Sequence, residues 1–136
     1  MKKLLLTLFI VTIGVLGFGT IKLGQDGFDI RVENKTDEKV SDLYITYDNI
    51  KSDIKIPSIE PGEEYKLHIN PKENSNDAFD EAALLLEYED NTGILHTEYI
   101  IGYFEIGYSG KAVVNITSVD ENGKLGMEID KNTSLY

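Results

Sequence analysis

The sequence contains two histidines, His68 and His96, whose side chains are suited to acid–base chemistry near neutral pH. A nucleophile–base pair would need one of them beside a serine or threonine, typically on a glycine-flanked turn. Both histidines instead lie in the middle of alternating polar and apolar stretches, which is typical of strands. We interpret both as strand-surface or sheet-packing residues. The absence of cysteine excludes thiol chemistry.

Carboxylates are abundant, with 24 aspartates and glutamates. Two of them could hydrolyse a glycosidic bond, but the abundance makes any single pair uninformative. Glu98 and Glu105 stand out because their stretch is otherwise apolar, so each lies on an exposed edge or in a site. We predict that the protein is not an enzyme, and a carboxylate-based envelope hydrolase is the alternative.

One segment, residues 118–123, resembles the start of a helix–loop–helix calcium loop. The bidentate acid that closes such a loop would fall on Ile129, whereas the nearest acid is Glu128. The flanking residues alternate like strands, so the segment is interpreted as a hairpin turn. We predict no metal and no cofactor. A looser cation site could form from three nearby acids, Asp77, Asp80 and Glu81.

The charge is uneven along the chain. Lys2, Lys3 and Lys22 are three of the 13 basic residues, and all 24 acids follow them, which leaves a net charge of −14 after Lys22. Such a surface repels nucleic acid and anionic lipid headgroups. It favours cationic partners, although diffuse acidity also simply keeps a protein soluble. No glycine-rich phosphate loop is present.

Four aromatic residues fall within ten positions, close to Gly102, Gly107 and Gly110. Tyrosines beside glycines suit contact with a protein or a glycan. The alternative is that these are ordinary strand aromatics. The candidate binding residues are Tyr99, Tyr103, Phe104 and Tyr108.

The N-terminus places the apolar run 4–21 between Lys3 and Lys22. Positive charge followed by an apolar run indicates export of the remaining chain. As an uncleaved helix, the 18 uncharged residues would rise about 27 Å, just short of a bilayer core. Gly17 and Gly19 also fit a signal-peptide site that would release a secreted chain from Thr20. We predict a signal peptide or membrane anchor over 1–22, with an extracytoplasmic C-terminal domain.

The rest of the chain is long enough for one packed domain without disulfides. We assign residues 23–27 to a linker, 28–130 to the domain and 131–136 to a polar tail. Period-two alternation predicts about eight antiparallel strands forming a two-layer β-sandwich. The predicted strands cover residues 28–33, 40–50, 54–56, 65–69, 83–90, 94–104, 111–119 and 125–129.

Two regions are less regular. Residues 78–87 fit both helical and strand spacing, and we predict a short helix over 77–83, capped by Ser75 or Asn76, followed by a strand. Residues 94–104 are apolar on both faces near their end, which predicts a central strand covered on both sides. Gly102 within it suggests a bulge or a close backbone approach.

The pattern of the first half of the domain resembles many bacterial immunoglobulin-like domains, although the Cys–Trp–Cys core is absent. The stretches that carry the resemblance are Ile30–Asn34, Leu43–Ile45, Ile59–Glu63 and Leu67–Ile69. The resemblance implies an immunoglobulin-like sandwich acting as a binding or spacer module. We predict an exported module of the bacterial envelope that binds a protein or envelope component, or alternatively a structural subunit of a membrane complex.

Overall fold

The computed structural model describes residues 26–76 and 80–134. The predicted N-terminal signal or anchor helix and most of the linker lie outside these residues. Within the described ranges, no helix is long and apolar enough to cross a membrane.

The described chain is mostly strand, as the alternating pattern predicts. Its only helix in the two described ranges is a single turn, α1 (Pro71–Asn74). The strands are β1 (Gly27–Asn34), β2 (Leu43–Thr46), β3 (Ile54–Ile56), β4 (Glu64–Ile69), β5 (Ala82–Glu89), β6 (Leu95–Phe104), β7 (Ser109–Val119) and β8 (Leu125–Ser134).

The strands form two four-stranded sheets with the orders β4-β1-β7-β8 and β3-β2-β5-β6. These are called sheet 1 and sheet 2. The predicted all-β sandwich is therefore confirmed. The prediction of purely antiparallel pairing is wrong, because β1 and β7 run parallel. The chain returns from β6 to sheet 1 at the end where β1 begins, and the Gly27 amide donates to the Tyr108 carbonyl there (3.0 Å).

The core lies between the sheets and consists of the apolar members of each alternating stretch. In β1, Phe28, Ile30 and Val32 are buried, whereas Asp29, Arg31 and Glu33 are half-buried on the outer face. Period-two alternation has this result because successive side chains point to opposite faces of a sheet. Each fully buried large apolar side chain stabilises the fold by about 1.5–3 kcal/mol.

Strand β6 differs from its prediction in one respect that matters for function. It is an edge strand of sheet 2, not a central one. Its register with β5 shifts twice, so that Ile100 and Ile101 both face the core. The apolar residues on both faces of the sequence pattern thus reflect two β-bulges and not burial on two sides. The first is at Ile100, and the second includes Gly102, as predicted. A Cβ at Gly102 would meet open space, so no close backbone approach requires this glycine.

The bounds of strand β2 and of the predicted helix also differ. Strand β2 is shorter than the predicted 40–50 because Asp42 and Asn49 adopt left-handed backbone conformations, with φ of 59° and 72°. The predicted helix over 77–83 is wrong where it is described, since residues 80–81 are not helical and residue 82 begins a strand. Residues 77–79 lie outside the described part.

The helix forms earlier in the chain because of local capping. The Asn70 side chain accepts the Lys72 amide at 3.1 Å, and Pro71 occupies the first helical turn, where its missing N–H costs nothing. At the other end of the domain, β8 continues through residues 131–134, so most of the predicted polar tail is strand.

Candidate contact surface on strand β6

The four aromatic residues predicted to form a binding surface do not lie together. Phe104 is fully buried and makes edge-to-face contacts with Phe28 and Tyr47, at ring-centroid distances of 5.1 and 5.5 Å. The prediction that Phe104 contributes to a binding surface is wrong, because the second register shift of β6 turns it inwards. Phe104 is a core residue.

Tyr103 and Tyr108 form a pair at the end of the sandwich where β1 begins. Their rings are 6.1 Å apart in an edge-to-face arrangement. The Tyr103 hydroxyl donates to Glu105 at 2.8 Å. This hydrogen bond is the main reason, ahead of burial, that the pKa of Tyr103 rises to about 12. Tyr108 packs partly against the core, so Tyr103 is the more exposed member of the pair.

Exposed large apolar side chains in the described residues are confined to one short stretch. They are Ile94 (58% exposed), Leu95 (57%), Tyr99 (63%) and Tyr103 (49%). All four lie on β6 or immediately before it, and we call them the β6 surface. Two of them, Tyr99 and Tyr103, were predicted from the sequence.

The outer face of sheet 2 continues from this surface. The register places Glu89 beside Leu95, Glu87 beside Thr97 and Leu85 beside Tyr99. Two acids on β5 therefore lie beside the first half of the β6 surface, and an apolar side chain lies beside Tyr99. Glu98 pairs with Leu86 and belongs to the opposite, inward-facing set of β6.

A groove of about 610 Å³ lies beside the β6 surface and includes Leu95 and Tyr44 in its lining. Its carboxylates are Asp42, Asp53, Glu87, Glu89 and Asp90.

Three of these acids already have partners. Asp42 lies 3.5 Å from the Lys55 ammonium group, and Asp53 accepts the Thr46 hydroxyl at 2.6 Å. Asp90 accepts hydrogen bonds from the side chain and amide of Thr92, and it lies 2.8 Å from a ring nitrogen of His96.

The electrostatics of Asp90 are opposite to those of a general acid. Hydrogen bonds from Thr92 and His96 hold the pKa of Asp90 well below its usual value. A glycosidase acid instead needs a raised pKa, so that it is still protonated at the working pH. Asp90 is thus a hydrogen-bond acceptor that shapes the turn after β5.

Both histidines lie on strands, as predicted, and each contacts an aspartate. His96 stacks on Tyr88 with ring centroids 5.0 Å apart and bonds to Asp90. His68 lies 2.7 Å from the Asp29 carboxylate and 2.9 Å from the Asp26 carbonyl. His68 therefore bridges a carboxylate and a backbone carbonyl, and His96 bridges a carboxylate and an aromatic ring.

Two matching turns close the end of the sandwich near His96. Residues 90–93 and 120–123 each begin with an aspartate that accepts backbone amides, and each ends with a glycine at φ of about +80°. The Asn91 amide donates to the Asn122 carbonyl at 2.8 Å, which joins the turn of sheet 2 to that of sheet 1. Segment 118–123 is therefore strand and hairpin turn, as predicted from its flanks. The spacing Asp-x-x-Gly predicted the two turns but not their contact.

A cation site is not evident in the described ranges 26–76 and 80–134, where no three histidine or carboxylate side chains come together as metal ligands. Of the looser acid set considered from the sequence, Asp77 lies outside the described residues, so that site is not described as a whole.

Comparisons with known proteins leave the function open. No family model matches the chain, and no curated protein matches it. A solved structure described as the NMR structure of the protein from Eubacterium rectale is similar over 80% of this chain and 93% of that one. Its identity is 14% and its TM-score is 0.41, which is too low to establish a common fold.

Proposed function

We propose that this chain is a non-catalytic binding module of a bacterial cell envelope and that it contacts its partner through the β6 surface. One observation carries the proposal: the exposed large apolar side chains of the described residues all lie within residues 94–103. Apolar residues scattered singly over a surface need no explanation, whereas a cluster on one strand marks an interaction site.

The chemistry around the cluster favours a protein or envelope component as the partner. Tyrosine and leucine supply contact area, and the neighbouring Glu87 and Glu89 supply polar contacts. The excess of acids over bases in the chain disfavours nucleic acid. The proposed partner therefore presents an apolar patch to the β6 surface.

The location of the module is part of the proposal. Residues 4–21 would hold it in the membrane with the sandwich outside the cytoplasm, or cleavage near Gly19 would release it. Measuring the intact mass of the protein in membrane and soluble fractions tests this. Full-length mass in the membrane is expected. A soluble species beginning at Thr20 would contradict anchoring but not export.

A photo-activatable phenylalanine analogue at Tyr99 in the producing cell tests the contact surface. We expect a discrete cross-linked adduct that disappears with Leu95→Asp, because the new carboxylate disrupts the apolar patch. The same analogue at Asn132, an exposed position on β8, is the matched control. Adducts of equal yield at both positions, or none at Tyr99, would refute the assignment of this surface.

The carboxylate hydrolase is the second candidate, and the acid-lined groove beside Leu95 is the observation that favours it. Glu87 and Glu89 are the groove acids without an ion pair or side-chain hydrogen bond among the described residues. Incubation of the protein with cell-wall glycans tests this reading. Release of sugars that is abolished by Glu87→Gln or Glu89→Gln would replace the binding proposal.

Two further features belong to the proposal. An immunoglobulin-like class for the sandwich is supported by the sequence resemblance and by a chain that crosses between the sheets four times. A role for the N-terminal helix itself as the contact within a membrane complex is a third possibility. Replacing residues 4–21 by an unrelated anchor distinguishes contact through the helix from contact through the β6 surface. Only contact through the helix predicts that function is lost while the protein stays in the membrane.

A further inference from the structure

The first half of β6 is an open edge. Among the strands that the structure describes, β6 pairs with β5 on one side and with none on the other. Residues 95–99 keep a regular register with β5, and the shifts begin only at Ile100. A regular edge presents unpaired backbone groups to another strand, whereas a bulged edge is twisted away from pairing. We call residues 95–99 the open edge.

The sequence of the open edge, Leu-His-Thr-Glu-Tyr, is complementary to itself in one register. Antiparallel pairing of two copies about Thr97 sets Leu95 of each copy opposite Tyr99 of the other. It also sets each His96 opposite a Glu98, and the two copies of Thr97 face each other. Apolar–aromatic and threonine–threonine pairs are cross-strand combinations that stabilise antiparallel strands. A histidine opposite a carboxylate places a hydrogen-bond donor beside an acceptor.

The side-chain faces are consistent with this register. Leu95, Thr97 and Tyr99 are all exposed, on the outer face of sheet 2. His96 and Glu98 belong to the inner face and are half-buried. Pairing would therefore cover the two exposed apolar side chains on one face and set histidine beside carboxylate on the other.

We propose that the open edge pairs with the open edge of a second copy of this chain, in the antiparallel register centred on Thr97. Sheet 2 of one copy then joins sheet 2 of the other to form one continuous sheet. The two copies are related by a two-fold axis, as in an isologous dimer. The inference rests on the proposed function, because it names the partner of the β6 surface.

Charge distinguishes this partner from a basic segment of another protein. Two copies, each with a formal net charge of −11, repel one another over long range. Salt screens this repulsion beyond about 8 Å at physiological ionic strength, whereas the cross-strand contacts are short. Added salt therefore strengthens self-pairing and weakens binding of a cationic segment.

The small size of the open edge sets the expected strength. Five residues on each side bury less than the roughly 1,200–2,000 Å² of a stable interface. The dimer is therefore weak and reversible, and it is best detected by trapping.

The absence of native cysteine makes trapping selective. Thr97→Cys in the full-length chain places one thiol from each copy on the two-fold axis, within the Cβ separations of about 4.5–5.5 Å found across strands. We expect mild oxidation in native membranes to give a disulfide-linked dimer, with at least about tenfold more product than Lys131→Cys on the exposed edge of β8. Adding Leu95→Asp should lower the yield about tenfold, and adding the charge-matched Asn132→Asp should not.

A second measurement needs no substitution. Hydrogen exchange of the unmodified protein should show slower exchange of amides within residues 95–99 as protein or salt concentration rises, with amides of residues 131–134 unchanged. Equal trapping of the two cysteines, or exchange independent of concentration, would overturn self-pairing. Cross-linking from Tyr99 to a different protein without a Thr97→Cys dimer would leave the proposed function standing and remove this inference. Failure of both cross-links would remove both.

Discussion

The Leu125 amide donates a hydrogen bond to the Tyr88 hydroxyl at 2.9 Å, and this contact links β8 of sheet 1 to β5 of sheet 2. Both residues are buried, and burial raises the pKa of Tyr88, so the hydroxyl stays protonated at neutral pH. The hydrogen bond therefore ties the start of β8 to the end of β5 across the interior.

Tyr88→Phe should lower the free energy of unfolding by about 1–3 kcal/mol, because the buried Leu125 amide loses its acceptor. Urea denaturation followed by circular dichroism measures the change. Tyr99→Phe removes the same hydroxyl from an exposed ring and should change the stability little. Equal effects of the two variants would contradict the role of the cross-sheet hydrogen bond.

Asp90→Asn should make the free energy of unfolding less dependent on pH in acid. The pKa of Asp90 is lowered in the folded protein, so its contribution is present above the unfolded value of 3.8 and is lost as the pH falls. The stability of the wild type should therefore decline more steeply than that of the variant as the pH falls below about 5. Unfolding titrations across that range test this, with Glu121→Gln in the other hairpin turn as the control. Parallel curves for wild type and variant would count against the prediction.

Asn34→Ala should destabilise the protein by about 2–3 kcal/mol. The Asn34 side chain is 1% exposed and donates to the carbonyls of Glu38 and Ile59 at 2.7 and 2.9 Å. Its removal leaves the buried Ile59 carbonyl without this donor. Thermal unfolding compared with Asn132→Ala, at an exposed asparagine, checks the expectation, and a loss no larger than that of the control would refute it.

Phe104→Ala should cost about 3–5 kcal/mol of stability, because it opens a cavity between Phe28 and Tyr47. Tyr99→Ala should stay within about 0.5 kcal/mol of the wild type, because its ring is mainly in solvent. Denaturation of the two variants separates the core member of the aromatic set from its surface member. Similar losses would contradict that division.

The sequence predicted the strands because alternation records which face of a strand is buried, and that information is local. Strand neighbours are not local, which is why the parallel partner of β1 was missed. The position of β6 was misread for a related reason. An apolar pair such as Ile100 and Ile101 arises either from burial on both faces or from a bulge, and only the register with β5 distinguishes them.

The candidate surface was half predictable. Tyr99 and Tyr103 could be identified from the density of aromatic residues near glycines, but the same signal included the core residue Phe104. Leu95 was missed because a single leucine in a strand is usually buried. The Asn70–Pro71 pair is a usable helix signal, since asparagine followed by proline suits the first helical turn, yet the sequence analysis placed the helix later, at 77–83.

The position of β1 has a mechanical consequence. It lies inside sheet 1, bonded along its length to β4 on one side and to β7 on the other, and the chain enters it directly at Gly27. A force applied through the preceding residues acts along the strand, so both ladders must slide at once and cannot open one bond at a time. The domain is therefore built to resist traction at its N-terminal end, and stretching a single molecule from residue 26 would meet higher resistance than peeling β8 from the sheet edge.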